Sequence, residues 1–309
     1  MSGNTNDLTS RINDIYGSLS KGQKLLAAYI TDNYDKAVFL TAARLGEVVG
    51  VSESTVVRFA MHLGYKGYPE FQRALEEMVR NKLNSIQRME VAYGRISQSK
   101  VLESVLQADQ EKIKDTCEHL DEQTFELAVE TILHAKHIYI VGIRSCAPLA
   151  AFMAFYFNLL FEHVTLLQTN SSSELFEQMV RISEEDVIIG ISFPRYSMRT
   201  LKAMEFANNR SAKVITLTDS AHSPMNLYSS CNLIARSDMV SIVDSLVAPL
   251  SVINALIVAL CMKKQSEVAA TLETLEELWG EYQVYEIDEI DLIDDKIKMN
   301  FADTGEKDA

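Results

Sequence analysis

Residues 137–161 read HIYIVGIRSCAPLAAFMAFYFNLLF, and the change of period inside them decides the fold. HIYIVG (137–142) is a short run of strand type that is apolar on both faces, whereas APLAAFMAFYFNLLF (147–161) has helical spacing. A strand apolar on both faces must be covered on both, and crossover helices do this in a parallel sheet. The alternation recurs downstream: HVTLLQ (163–168), DVIIGIS (186–192), KVITLTD (213–219) and CNLIARS (231–237) are further β-type runs separated by helical segments. Five such strands predict a doubly wound parallel α/β domain, and they suit the flavodoxin-like order 2-1-3-4-5.

Upstream, from Leu8 to about Leu83, the pattern is helical throughout, with apolar residues recurring at three and four (Leu25, Leu26, Tyr29, Ile30). Ser20 followed by Gln23 is a capping-box signature for a helix start. Further helices are expected over about 41–49 and 52–63, and another after Pro69. Residues 84–135 stay helical and charged, as a connector and the first helix of the next domain. The expected division is a helical domain over 1–83, a connector over 84–105, the α/β domain over 106–280 and an acidic tail over 281–309, its last ten residues disordered by composition.

Length and composition agree with this. The 309 residues suit two domains, and 47% apolar with 23% charged residues is ordinary for a soluble globular protein. No N-terminal segment pairs a basic patch with an apolar core, so secretion is not indicated. The longest apolar run, Leu246 to Cys261, carries Pro249 and Asn254 and falls short of the roughly 20 residues of a membrane span. Cys117, Cys146, Cys231 and Cys261 lie far apart, with no CxxC and no nearby His pair, so no zinc site or disulfide framework is expected, and a reducing cytoplasm fits. The net charge of −14 argues at first against nucleic acid. Residues 1–80, however, carry nine Lys/Arg and nine Asp/Glu, whereas residues 281–309 carry three against ten, so the acid is concentrated away from the N-terminus.

Residues 41–64, TAARLGEVVGVSESTVVRFAMHLG, have the spacing of a helix-turn-helix. Two helices cross closely only if the first carries a small residue and the turn tolerates a left-handed backbone; Gly46 and Gly50 supply these, with Leu45, Val49, Val51, Val56 and Phe59 at the apolar offsets. Ser52 is placed to cap the second helix. Its first turn would then expose Glu53, Ser54 and Thr55, with Val57, Arg58, Met61 and His62 on the same outer side. Such a helix fits the major groove, Arg58 meeting guanine or phosphate and Glu53 accepting from cytosine. Lys66 and Tyr68 follow in a loop suited to backbone contact. A helical hairpin that merely packs, followed by a solvated turn, is the plainer alternative.

VSESTVVRFAMHLGYKGYPEFQRAL (51–75), followed by five alternating strands, resembles the RpiR-type (MurR/RpiR) bacterial transcriptional regulators, in which a helix-turn-helix is joined to a sugar isomerase (SIS) domain. The resemblance covers nearly all of residues 8–280. It implies a DNA-binding, dimeric regulator whose SIS domain senses a small, usually phosphorylated, metabolite; the long apolar helices over 148–161 and 246–261 exceed what one side of a small sheet needs and suit a homodimer or homotetramer on a double-stranded DNA operator, and no membrane partner is expected.

In strand order 2-1-3-4-5 the chain reverses between strands 1 and 3, and ligands of open α/β sheets bind beyond the carboxyl ends there. The loops concerned are Gly142 to Cys146 and FPRYSMRT (193–200), and the helix N-termini that begin there favour an anion. The resemblance implies that hydroxyls of these loops surround a phosphate, which carries over to Ser145, Ser192, Ser197 and Thr200. Departures from the family pattern are Arg144 in a usually Gly-rich loop, and Arg195-Tyr196-Ser197 where Ser-Gly-x-Thr is common. Two guanidiniums suit a carboxylate or phosphate; the plainer alternatives are that Arg144 and Arg195 pair with acidic residues of the domain and that Tyr196 is a surface aromatic. Asp219, Asp244 and Ser245 read as helix caps at least as readily as ligand contacts. Catalysis is not expected: Glu174 and His222 are the only bases near the crevice, His137 and His163 lie at strand starts, and no nucleotide loop, nucleophile elbow, cofactor site or metal cluster is evident. The rival class is a phosphosugar isomerase with an appended helical domain.

Overall fold

Thr41 and Gly50 bracket the first helix of the motif, and both act as their chemistry dictates. The Thr41 hydroxyl accepts from the Arg44 amide, and Gly50 leaves the helix at φ 77°, a left-handed conformation that glycine adopts without steric cost. The computed structural model describes residues 8–38, 40–82, 86, 98–169, 171–221, 223–237 and 243–285. In its N-terminal part these form α1 (Leu8–Ile15), α2 (Lys21–Asp32), α3 (Tyr34–Ala37), α4 (Ala42–Val49), α5 (Glu53–His62) and α6 (Tyr68–Lys82). The capping box at α2 is complete, with Ser20 and Gln23 each accepting from the other's backbone amide. Helix α6 begins at Tyr68 rather than after Pro69, because proline has no amide to lose in the first turn of a helix.

Helices α4 and α5 cross over Gly46, where an added Cβ would lie 2.7 Å from the Val51 carbonyl oxygen. Leu26, Ile30, Leu45, Val56, Phe59 and Phe71 are completely buried in the one core of this part, with Phe59 and Phe71 edge to face at 5.9 Å. Val49 and Val51 pack against it half-buried.

The second part holds α7 (Val101–His119), α8 (Glu122–Leu133), β1 (Ile138–Gly142), α9 (Ala147–Leu160), β2 (Val164–Leu166), α10 (Ser172–Gln178), β3 (Val187–Ile191), α11 (Met198–Asn208), β4 (Lys213–Thr218), β5 (Cys231–Ile234), α12 (Val247–Lys263) and α13 (Gln265–Glu281). The five strands form one parallel sheet in the order β2-β1-β3-β4-β5, as the sequence predicts. Period-two alternation splits the core between its faces. Ile138, Ile140, Ile189 and Ile215 pack with α8, α9 and α12, whereas Tyr139, Val141, Ile188 and Val214 pack with α10 and α11. Helix α7 runs unbroken through residues 105 and 106, the expected edge of the connector. Residues 83–85 and 87–97 of that connector, and 286–309 of the acidic tail, lie outside the described residues. Among the described residues no single helix is long and apolar enough to cross a membrane.

Candidate functional site

Two surfaces carry the residues expected to act. On α5 the first turn is open: Ser52, Glu53, Ser54 and Arg58 are exposed, Thr55 and Val57 half-exposed, and they flank a hollow of about 420 Å³ lined by Glu53, Ser54, Val57 and Arg58. Ser52 occupies the N-cap position without capping a backbone amide. Its hydroxyl instead meets those of Ser54 at 3.0 Å and Thr55 at 2.8 Å. The Arg58 Nε donates to the Ser54 carbonyl at 3.1 Å and its Nη2 to the Ser54 hydroxyl at 3.5 Å, which holds the exposed guanidinium against the helix's own first turn. His62 closes the row, exposed, with Nε2 3.4 Å from the Ser18 hydroxyl, and Lys66 is exposed beyond it. Tyr68 does not join them. It is 5% exposed, its hydroxyl donates to the Leu40 carbonyl at 2.6 Å, and its ring packs on Phe71. A buried aromatic ring whose hydroxyl is taken up by a main-chain carbonyl packs as a core residue, so the expected backbone contact at Tyr68 is corrected.

The second surface lies at the carboxyl ends of β1 and β3. Gly142 pairs with Ile191 in the register, so the loops after them leave the sheet side by side. Arg144 and Ser145 stand exposed in a single 3-10 turn, Arg144–Cys146. The Cys146 thiol is buried at the end of this turn, and burial pushes it up to about 11 against the opposing effect of the Phe193 backbone and the Ser145 side chain. Arg144 and Arg195 share an unusual backbone: both are left-handed, at φ 61° and 65°, and both are exposed. A non-glycine residue there costs about 1–2 kcal/mol.

The remaining candidates fall into two groups. Ser192 is 3% exposed and its hydroxyl accepts from the Ser197 amide at 3.0 Å, while the Ser197 hydroxyl caps α11 by accepting from the Thr200 amide. Thr200 is completely buried in the first turn of α11, and its hydroxyl has no hydrogen-bond partner among the described residues. Such an atom costs about 1–3 kcal/mol unless something meets it. Tyr196 is half-buried, and its hydroxyl donates to Asp219 Oδ1 at 2.8 Å. Asp219 is therefore neither a cap nor a free ligand arm but a tie between the exits of β3 and β4.

Asp244 and Ser245 do not cap α12 either. Leu246 stands at its N-cap, and the Ser245 hydroxyl donates to Asp109 Oδ1 at 2.5 Å. Glu174 is exposed in the first turn of α10 and accepts from the Thr169 hydroxyl; His222 lies outside the described residues. His137 and His163 stand just before β1 and β2, at the opposite ends of the strands, with the His137 ring stacked on Tyr139 at 4.5 Å. Another hollow, about 330 Å³, opens at those amino ends among Glu130, His134, Glu184, Glu185, Asp186 and Lys213. Its acidic lining suits an anion poorly. The ties missed by sequence reasoning join residues far apart in the chain, Tyr196 with Asp219 and Ser245 with Asp109, and no local pattern announces them.

Comparison with known proteins gives this geometry its context. Residues 6–82 match the helix-turn-helix domain of the rpiR family, and residues 131–259 match the SIS domain. A Haemophilus influenzae protein described as an uncharacterized HTH-type transcriptional regulator is 25% identical over 272 residues, covering 85% of this chain and 93% of its own. The sugar isomerase domain of the RpiR transcription factor from Sphaerobacter thermophilus is 27% identical and superposes with a TM-score of 0.55 over 58% of this chain and 99% of its own. The Vibrio vulnificus NanR protein complexed with ManNAc-6P is 22% identical, covers 88% of this chain and 97% of its own, and shares the fold with a TM-score of 0.53. An rpiR-type helix-turn-helix followed by a five-stranded SIS sheet places this chain in the RpiR-type family of HTH transcriptional regulators.

Proposed function

We propose that this regulator binds a double-stranded operator through α5 and that a small anionic metabolite in the β1–β3 crevice modulates that binding. The observation that carries the reading is the pair of left-handed arginines, Arg144 and Arg195, on adjacent loops at the sheet's reversal point, beside the capped N-terminus of α11. Backbone strain retained at two facing loops is a mark of a site, and two guanidiniums with helix amides suit a phosphate or carboxylate. Ser145, Ser192, Ser197 and Thr200 supply hydroxyls around it, and Tyr196 is the aromatic rim. The NanR structure, of the same fold, holds a phosphosugar, which supports a phosphosugar or a related phosphate-bearing acid here. On the DNA side Ser52, Glu53, Ser54, Thr55, Arg58 and His62 face the major groove and Lys66 the backbone.

Oligomerisation follows from apolar surface. Phe155 is 64% exposed on α9, with Tyr156 next to it in sequence, and Val258 and Met262 are 57% and 74% exposed on α12. A face of this kind is covered in a homodimer or homotetramer, which brings two copies of α5 onto a palindrome with half-sites about 10 bp or a multiple apart. The test is a thermal-shift screen of phosphosugars and organic acids against the full chain, followed by operator binding with each hit. A hit that stabilises the protein and changes operator affinity supports the reading. Turnover of a phosphosugar in a coupled assay, without any DNA binding, would replace it with the isomerase.

A further inference from the structure

Helix α7 brings the chain from the DNA-binding domain into the α/β domain, and one side of it is bound to the sheet by polar groups out of place on a mere spacer. Asp109, Lys112 and Thr116 share a face by their spacing of three and four, with Asp115 flanking it. Lys112 and Thr116 are 8% and 6% exposed. The Thr116 hydroxyl accepts from the Arg236 amide at 2.9 Å, and Asp115 Oδ2 meets Arg236 Nε at 2.5 Å, two residues past β5. Asp109 accepts from Ser245, two residues before α12. The Lys112 ammonium donates to the Ala108 carbonyl at 3.1 Å, a charge kept under this seam. Packing apolar residues at these positions would be as stable or more so, whereas a polar seam has a defined geometry in which to be made or broken.

Hydrogen bonds between neighbouring strand exits, joined through adjacent residues of the chain, link the crevice to this seam. Tyr196, on the β3 exit, donates to Asp219. Next to it the Thr218 carbonyl accepts from the Ala235 amide at 2.8 Å, which ties the β4 exit to the β5 exit. The next amide, Arg236, is the one held by Thr116. All these groups stand at the carboxyl side of the sheet, where the crevice opens.

We propose that the polar seam between α7 and residues 236 and 245 is a latch that couples the state of the crevice to the helix-turn-helix domain through α7. The inference rests on the proposed function, since it needs α5 to bind DNA. Coupling between sites is reciprocal, so DNA binding must disturb the latch even with no effector present.

The experiment is hydrogen exchange on the full chain, free and bound to a duplex selected from a random pool, for wild type and for Thr116→Val/Ser245→Ala, with Ser245→Ala alone should the double variant fail to fold. Wild type is expected to show protection of α5 on binding DNA, and exchange in residues 108–119 and 235–237 altered about five-fold or more, the low end of ordinary coupling. The latch variant keeps the α5 protection and loses the remote change. Protection of α5 with no remote change in wild type, or an undiminished remote change in the variant, overturns the latch while DNA binding stands. No selected duplex and no α5 protection would instead remove the DNA reading, and the latch with it.

Discussion

Arg144 and Arg195 hold backbone angles that favour glycine, so each trades stability for what its side chain does. Arg144→Gly should leave the melting temperature unchanged or raise stability by up to about 1 kcal/mol, the relief of strain being offset by a floppier unfolded chain. It should also weaken binding of whichever anion the thermal-shift screen identifies. A clear loss of stability would mean that Arg144 holds the loop and not a ligand. The cysteines offer a separate check. Burial pushes Cys146 and Cys231 up to about 11, so both remain thiols at pH 8, whereas Cys117 is exposed. Alkylation at pH 8 with mass-spectrometric mapping should label Cys117 first and spare the two buried thiols. The placement of Ser145, Ser192 and Ser197 beyond β1 and β3 was legible, because the strand positions follow from periodicity. Tyr68 was misread because aromatic and turn signals coincide at Gly67-Tyr68-Pro69, and nothing local says that the Leu40 carbonyl waits for its hydroxyl.

At the scale of elements, α4 and α5 are legible because their contact is short-range in sequence and sterically strict. Gly46→Val would drive a side chain into the Val51 carbonyl, so it should cost the N-terminal domain about 1–3 kcal/mol and weaken DNA binding in proportion to the unfolded fraction, measurable by circular dichroism and anisotropy. In the crevice, Ser145→Ala is the cleaner probe of the effector site, since Ser197→Ala also uncaps α11 at about 1 kcal/mol. Ser145→Ala should keep DNA binding and diminish the effector response, read as the ratio of operator affinities with and without the screened ligand. The strands were legible for a different reason: short β-type runs of six or seven residues between helical segments leave few alternatives. The caps of α12 were not. Asp244 and Ser245 have the composition of a cap, but Asp109, 136 residues away, takes the serine hydroxyl.

For the whole molecule, charge and apolar surface point the same way. The net charge of −14 lies largely outside the N-terminal domain, whose own balance over residues 1–80 is zero, so binding should rest on a few contacts and show a shallow salt dependence. Phe155→Asp with Met262→Asp should shift the protein to a smaller species in sedimentation velocity and weaken operator binding through lost avidity. An unchanged sedimentation coefficient would place the interface elsewhere. The central claim is that the open side of α5 reads DNA. Its most direct test is fluorescence anisotropy of the full chain on a duplex selected with wild type, comparing wild type with Arg58→Ala. The account predicts a loss of about 1–3 kcal/mol in specific affinity with an unchanged melting curve. Equal affinity of the two proteins for the selected duplex would contradict it.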